Sequence, residues 1–384
     1  MTERDIIVVV NGRFHGFDLA RELHKKGRLQ KLITSYPSSV AIEYGIPRAY
    51  ISTLLPFEVL KRIFLKFPSK YRRFLLLLQK ILFDLYVSLT IPMTARIVVG
   101  WSSSSLFTFR RLRKHNPKCT LILERGSTHI QYQNLLLGKI YQELNHHFYS
   151  DPGLIIEREL IEYELADRIF LPTEFCKNTF IDYDVPDNKV HVVPYGVNFG
   201  EFSPKIEARN TSDSTFTIIN VGGLKFRKGS HVLMKALEIL NADNVNFNFI
   251  HAGKVDPEMA DKCYNKSNAK YMGHIPQRQL VKIYNQASLF VLPSFEEGLA
   301  MVQLQALACH LPIITTENAG GKELSNYDNV TIIKDITPRI LANQIKDLMD
   351  GTICKISPSR CIARSDWSWE AYATRFLSAS DDNY

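Results

Sequence analysis

The sequence predicts an α/β protein made of two doubly wound halves, each a parallel sheet wrapped by helices. Three observations carry this expectation. Short β-branched runs alternate with amphipathic helical stretches throughout. Two glycine turns, at Gly12 and at Gly222 with Gly223, each follow a strand and lead into a helix. A polar run, RNTSDS at 209–214, separates the halves as a linker. At 384 residues the chain also exceeds the ~250 at which one hydrophobic core stops growing.

The elements follow in order. Residues 6–10 form a β-branched strand, Asn11, Gly12 and Gly16 supply a flexible turn, and a helix starts near Asp18 with Leu19, Ala20 and Leu23 on its apolar face. A second strand begins at 32–34. The opening is of nucleotide-binding type but lacks G-x-G-x-x-G, which argues against a dehydrogenase. Strands at 96–100 and 120–123 flank a basic helix, and an acidic helix at 155–167 precedes strands at 169–171 and 190–193. The second half opens with a strand at 216–221 and a helix built on Val232, Leu233, Ala236 and Leu237. It continues through a strand at 245–250, a helix at 279–285 and strands at 289–292 and 311–315.

Composition narrows the class. Hydrophobic content of 45% with 22% charged residues excludes disordered and collagen-like chains. A net charge of +8 permits an anionic partner without choosing one, and no nucleic-acid module is present, so no nucleic-acid partner is expected. Cys119, Cys176, Cys263, Cys309, Cys354 and Cys361 show neither C-x-x-C nor metal-like spacing, so a reducing cytoplasm and no metal are expected. The N-terminal MTERDIIVVV puts acids before an apolar run too short for a signal segment.

Residues 55–93 interleave Lys61, Arg62, Lys66, Lys70, Arg72, Arg73 and Lys80 with blocks such as FLLLLQKILF, and no acid lies between Lys61 and Lys80. Residues 74–93 nearly match a bilayer in length. Lys80 and Asp84 interrupt them, at roughly 3 kcal/mol each in a bilayer centre. Two readings stay open: a helix pair lying on an anionic membrane face, or a leucine-rich core stripe with a solvated basic rim.

Three stretches carry chemistry. ERGSTHI crowds Glu124, Arg125 and His129 at a strand end, where α/β sheets bind ligands. After Gly222 and Gly223, Lys225, Arg227 and Lys228 make either a phosphate cradle or a basic surface turn; the spacing is not the Walker one. In residues 291–323, VLPSFEEGLAMVQLQALACHLPIITTENAGGKE, a strand, an acidic loop, a helix, a second strand and a diglycine turn form a βαβ unit. Glu296 and Glu297 there either accept hydrogen bonds from sugar hydroxyls or simply complement the helix dipole.

Together these residues resemble the retaining glycosyltransferases of the GT-B fold, group 1 (family 4-like). Pro293, Ser294, Glu297 and Gly298 resemble the signature loop, with Pro312 and Gly320, Gly321 and Glu323 following. Lys228 and Gly229 match the K-G pair, PYGVN at 194–198 the inter-domain turn, and residues 369–376 the last helix. The resemblance implies two Rossmann-like domains facing a cleft: an acceptor-side domain over 1–198, with 366–384 crossing back onto it, and a nucleotide-sugar domain over 199–365.

The resemblance also implies roles. Lys228, helped by Arg227, meets the leaving diphosphate, Glu297 holds donor sugar hydroxyls, and His129 contacts the sugar from the opposite domain. Gly222, Gly223, Gly298, Leu299, Ala300, Met301, Val302 and Gln305 complete the donor site, and Gly12, Glu124 and Arg125 face the acceptor. No metal or other cofactor is implied. Four departures stand out: Gln305 replaces the second acid, Gly223 an arginine, Ala300 the second loop glycine, and His310 the glycine ending the helix. The implied function is transfer with retention to a glycan or lipid-linked acceptor of a bacterial envelope polysaccharide, such as lipopolysaccharide, in the cytoplasm or at the inner membrane face. The alternative is a sugar-nucleotide or glycan binding protein that has lost its chemistry.

Overall fold

The computed structural model describes residues 4–204, 215–351 and 361–381, without the side chains of 69 and 70. The RNTSDS run and Cys354 lie outside the described residues.

The first sheet contains β1 (Ile6–Val10), β2 (Leu29–Thr34), β3 (Ile51–Thr53), β4 (Ile97–Trp101), β5 (Thr120–Glu124), β6 (Arg168–Leu171) and β7 (Val190–Val192), all parallel, in the order β3-β2-β1-β4-β5-β6-β7. Every residue of β1 is buried, as a strand covered on both faces requires. Helices α1 (Gly16–Lys25), α2 (Ser38–Glu43), α3 (Leu55–Phe64), α4 (Ser69–Thr90), α5 (Leu106–His115), α6 (Ile130–Glu143), α7 (Gly153–Leu165) and α8 (Glu174–Ile181) connect and cover these strands.

The second sheet repeats the plan. Strands β8 (Thr217–Val221), β9 (Asn248–Ala252), β10 (Ala269–Tyr271), β11 (Leu289–Val291), β12 (Ile313–Thr316) and β13 (Val330–Ile333) run parallel as β10-β9-β8-β11-β12-β13. They are joined or covered by α9 (Ser230–Ala242), α10 (Gln277–Gln286), α11 (Met301–Ala308) and α12 (Pro338–Met349). Strand order therefore reverses between β1 and β4 in one sheet and between β8 and β11 in the other. Those switch points are where α/β sheets open a crevice, so the loops after these four strands are the natural binding loops.

The short α13 (Arg364–Trp367) leads into α14 (Trp369–Ser380), which returns to the first domain as expected. Ser368 accepts from the Ala371 amide to cap it, Tyr372 donates to Glu124 at 2.9 Å, and Arg375 donates to the Pro194 carbonyl at 2.8 Å. Gly196 explains the inter-domain turn, because a Cβ there would lie 2.6 Å from the Trp369 nitrogen.

No helix among the described residues is long and apolar enough to cross a membrane. Asp84, inside α4, is fully buried, accepts from the Phe107 and Thr108 amides at the start of α5, and pairs with Arg158. The acid that interrupts the apolar run is thus a structural cap. Leu77, Phe83 and Val87 of α4 enter the core, whereas Tyr71, Phe74, Leu78, Leu82, Leu85 and Leu89, spaced three or four residues apart, lie outside it on an exposed stripe.

Candidate functional site

At the end of β8 the chain turns through Gly222, whose φ of 121° favours glycine, and Gly223. It then forms a short 3-10 turn, Phe226–Lys228, which ends at Gly229 in the left-handed region. A Cβ on Gly229 would sit 1.9 Å from the carbonyl oxygen of Pro293, so only glycine lets the turns after β8 and β11 touch. The contact locks the two cations before it. Lys228 Nζ lies 3.4 Å from where a Gly222 Cβ would be.

Two carboxylates meet these cations. Glu297 Oε1 lies 2.9 Å from Lys228 Nζ and 3.3 Å from Arg227 Nη2, and Glu296 Oε2 lies 2.9 Å from Arg227 Nη1. The acids have different surroundings. Glu297 remains within this cluster, while Glu296 is fully buried against the other domain. It accepts from the Ser127 hydroxyl at 2.5 Å, the Thr128 hydroxyl at 2.9 Å and the Gln133 amide at 3.0 Å. Burial alone would raise the Glu296 carboxyl, but Arg227 and these donors outweigh it and hold it at about 2.

Other contacts close the same seam. A Cβ on Gly298 would lie 2.2 Å from the Gly126 carbonyl oxygen, and Glu323 accepts from the Glu174 amide at 2.7 Å. The Gly320 side of the diglycine turn faces Thr173. The signature loop is therefore seated directly on the first domain's β5–α6 and β6–α8 loops.

Beside this seam lies a cleft of about 1190 Å³ between the domains. Leu299, Met301 and Gln305 line it from the second domain, and Gly12, Arg125 and Gly126 from the first. Gln305 is nearly buried, with Tyr284 donating toward its Oε1 at 3.4 Å. Ala300 precedes α11, and the Val302 carbonyl accepts from Tyr284. Gly12 carries a φ of 130°, and its carbonyl accepts from Thr34 at 2.7 Å. Arg125 is fixed by Glu159 at 2.8 Å and donates to the Thr128 carbonyl.

Two of the expected first-domain residues are not in the cleft wall. His129 does not face the cleft: it is 1% exposed, stacked on Tyr183 at 4.6 Å and packed against Tyr163 and Phe180. Burial, reinforced by Arg125, pulls its ring down to about 4, so it sits neutral in an aromatic box. Glu124 is also buried and is not in the cleft wall. Its Oε2 lies 3.3 Å from His15 Nε2, and its Oε1 accepts from Tyr372.

The cleft histidine is His15, at the end of the turn after β1, with its ring 4.2 Å from Tyr195 and 5.2 Å from Trp101. Sequence reading passed over it, although it lies in the turn that ends at Gly16. Reading also left the domain-joining role of Glu296 unseen, since nothing in the spacing separates it from Glu297. Among the described residues no group of three or more His, Cys, Asp or Glu is arranged to hold a metal ion.

Two parallel sheets facing a cleft, with the last helix crossing back, define the GT-B fold. Sucrose-phosphate synthase from Thermosynechococcus elongatus aligns over 98% of both chains, with a TM-score of 0.65 at 17% identity. HepE of Anabaena, solved with UDP and glucose, aligns over 98% of this chain and 99% of its own, with a TM-score of 0.66 at 13% identity. Residues 202–365 match the family described as glycosyl transferases group 1. Those residues of the second domain resemble that family.

Similar sequences agree. An uncharacterised glycosyltransferase of Methanocaldococcus jannaschii is 26% identical over 195 residues, 47% of this chain and 50% of its own. The O-antigen chain mannosyltransferase B of Escherichia coli is 23% identical over 167 residues, 41% of this chain and 44% of its own. The chain spans about half the length of these curated relatives, or somewhat less.

Proposed function

We propose that the protein transfers a sugar from a nucleotide-sugar donor to a glycan or lipid-linked acceptor, with retention at the anomeric carbon, in bacterial envelope polysaccharide synthesis. The observation that carries this reading is the pair of cations, Lys228 and Arg227, locked beside two glycine turns at a switch point. Fixed cations lower the energy of a departing diphosphate because their charge is in place before the bond breaks. In the free protein Glu297 and Glu296 neutralise them. A bound diphosphate would take over Lys228 and part of Arg227, freeing Glu297 to accept hydrogen bonds from donor sugar hydroxyls.

Gln305, at the cleft wall, sits where a ribose hydroxyl of the donor would be met by a neutral amide. Protein cations supply the charge in this reading, and no metal enters the reaction. The acceptor enters from the first domain beside Gly12 and Arg125, with His15 in reach of the cleft. In the retaining route the donor phosphate oxygen assists removal of the acceptor proton on the same face of the sugar. The setting is the inner face of the plasma membrane, reached through α3 and α4. Their exposed apolar residues, such as Val59, Ile63, Phe74 and Leu89, lie among exposed Arg62, Lys66 and Arg73, which suits an anionic lipid surface. Screening nucleotide sugars for thermal stabilisation, then assaying the stabilising one for turnover, tests the reading and separates an enzyme from a binding protein.

A further inference from the structure

The inner faces of α3 and α4 form part of the cleft wall, through Lys61, Leu76, Gln79 and Lys80. A polar knot sets their position. Asn11 and Gln79 exchange side-chain hydrogen bonds at 3.2 and 3.1 Å, and Gln79 also donates to the Phe57 carbonyl at 3.1 Å. The residues one step beyond the knot, Gly12 and Lys80, therefore reach the same cleft, as does Lys61 one helical turn beyond Phe57. Lys61 Nζ comes within 3.8 Å of where a Gly12 Cβ would be.

The charges in this corner do not cancel. Glu159 is committed to Arg125, to the Ser103 hydroxyl and to Tyr163. Glu58 is shared between Lys61 at 3.7 Å and Arg62 at 3.0 Å. Lys80 has no carboxylate within ion-pair distance among the described residues. Burial pushes its ammonium down, with Glu159 pulling the other way. A partly buried cation with no carboxylate beside it gains when a ligand brings the counter-charge.

Resting on the glycosyltransferase reading above, we propose that Lys80, with Lys61 and Arg125, forms a second anion subsite in the cleft, which binds a phosphate group carried by the acceptor. Lys228 and Arg227 do not line this cleft, and the two clusters are joined through Gln133, which accepts from Arg125 and donates to the Glu296 carboxylate that holds Arg227. Ser102 and Ser104, also on the wall, offer hydroxyl donors beside it. A phosphate there would anchor the acceptor while its hydroxyl points toward the donor. Both a lipid-borne diphosphate and a soluble sugar phosphate have the required chemistry.

Inorganic diphosphate is the probe, titrated calorimetrically into the full chain, with Lys228→Ala used to silence the donor site. In that background Lys80→Met should weaken the remaining binding about ten- to a hundredfold, and Lys80→Arg should restore most of it. Because methionine removes an uncompensated ammonium at similar volume, the melting temperature of Lys80→Met should stay level or rise. Unchanged diphosphate binding in Lys228→Ala with Lys80→Met, or no second site at all, overturns the proposal. Displacement of the probe by farnesyl diphosphate identifies a lipid source, and displacement by glucose 1-phosphate a soluble one. Nucleotide-sugar binding to wild type and Lys80→Met is measured alongside. If no nucleotide sugar binds either protein, the glycosyltransferase reading fails while the phosphate result still stands or falls by itself.

Discussion

The Glu296 carboxylate accepts a hydrogen bond from the Ser127 hydroxyl at 2.5 Å, which buries an acid of the second domain's signature loop inside the first domain. Its other oxygen is held by Arg227 at 2.9 Å, so one residue joins the cation cluster to the opposite domain. This makes Glu296 a brace across the domain seam, and Glu297 the acid left available to a donor.

Glu296→Ala should therefore destabilise the protein by about 3 kcal/mol, since it takes one of two carboxylates from Arg227 and leaves the Ser127, Thr128 and Gln133 donors without their acceptor. Glu296→Gln should cost less, because it keeps one acceptor oxygen. Urea unfolding of both variants checks the order; equal, negligible losses would show that the seam does not depend on this residue.

Acid should weaken the fold in two stages. His129, His231 and His251 are each held near 4 by burial, below the 6.5 of a free imidazole. The unfolded chain then binds more protons between 6.5 and 4, so stability falls as pH drops through that window, by about 1–2 kcal/mol per histidine at pH 5. Glu296 acts lower. Its folded value of about 2 lies under the ordinary 4.5, so its contribution is complete above 4.5 and is lost as pH falls toward 2. Urea midpoints at pH 7.5, 5 and 3.5 should decline in that order, and a flat profile from 7.5 to 5 would rule out the neutral histidines.

The two histidines should separate in kinetics. His15 lines the cleft and His129 does not, so His15→Ala should lower turnover by about tenfold or more, whereas His129→Phe, which keeps the aromatic stacking, should leave turnover within a few-fold. The reverse pattern, measured as kcat with a working donor and acceptor, would return His129 to the site.

Gln305→Glu restores an acid at the cleft wall. A charge-assisted hydrogen bond to a ribose hydroxyl should tighten donor binding by about tenfold, read as the donor Kd. An unchanged Kd would place Gln305 outside the ribose subsite.

Much of this architecture was legible because buried parallel strands advertise themselves as continuous β-branched runs. The strands at 6–10, 216–221 and 289–292 are matched to within a residue or so by β1, β8 and β11. Of the four short edge strands only β7 was read, at 190–193, whereas β3, β10 and β13, of three or four residues each, went unread, as did α6. In β9 the apolar run at 245–250 begins three residues before the strand, because Val245 packs on the core from the preceding turn.

The site was legible where backbone geometry constrains identity. Gly229 must be glycine to pass Pro293, and this ties Lys228 to the loop that holds Glu297. It was illegible where contacts cross between domains. That Glu296 faces Ser127, or that Glu124 supports His15 while His129 turns inward, depends on how two sheets dock, and no local spacing reports it.

The membrane reading has its own test. Reversing Arg62, Arg72 and Arg73 to glutamate should weaken binding to anionic vesicles, read by flotation, by about a hundredfold or more, at roughly 1 kcal/mol of attraction per basic residue. Flotation equal to wild type would leave the exposed α4 stripe to some other role.

The central claim is that Lys228 meets the diphosphate of a nucleotide sugar. The most direct measurement is transfer by purified wild type and Lys228→Ala, using the nucleotide sugar that stabilises the wild type, with circular dichroism confirming an intact fold. The account predicts a fall of about a hundredfold or more in kcat/KM for Lys228→Ala; turnover near that of wild type would contradict it.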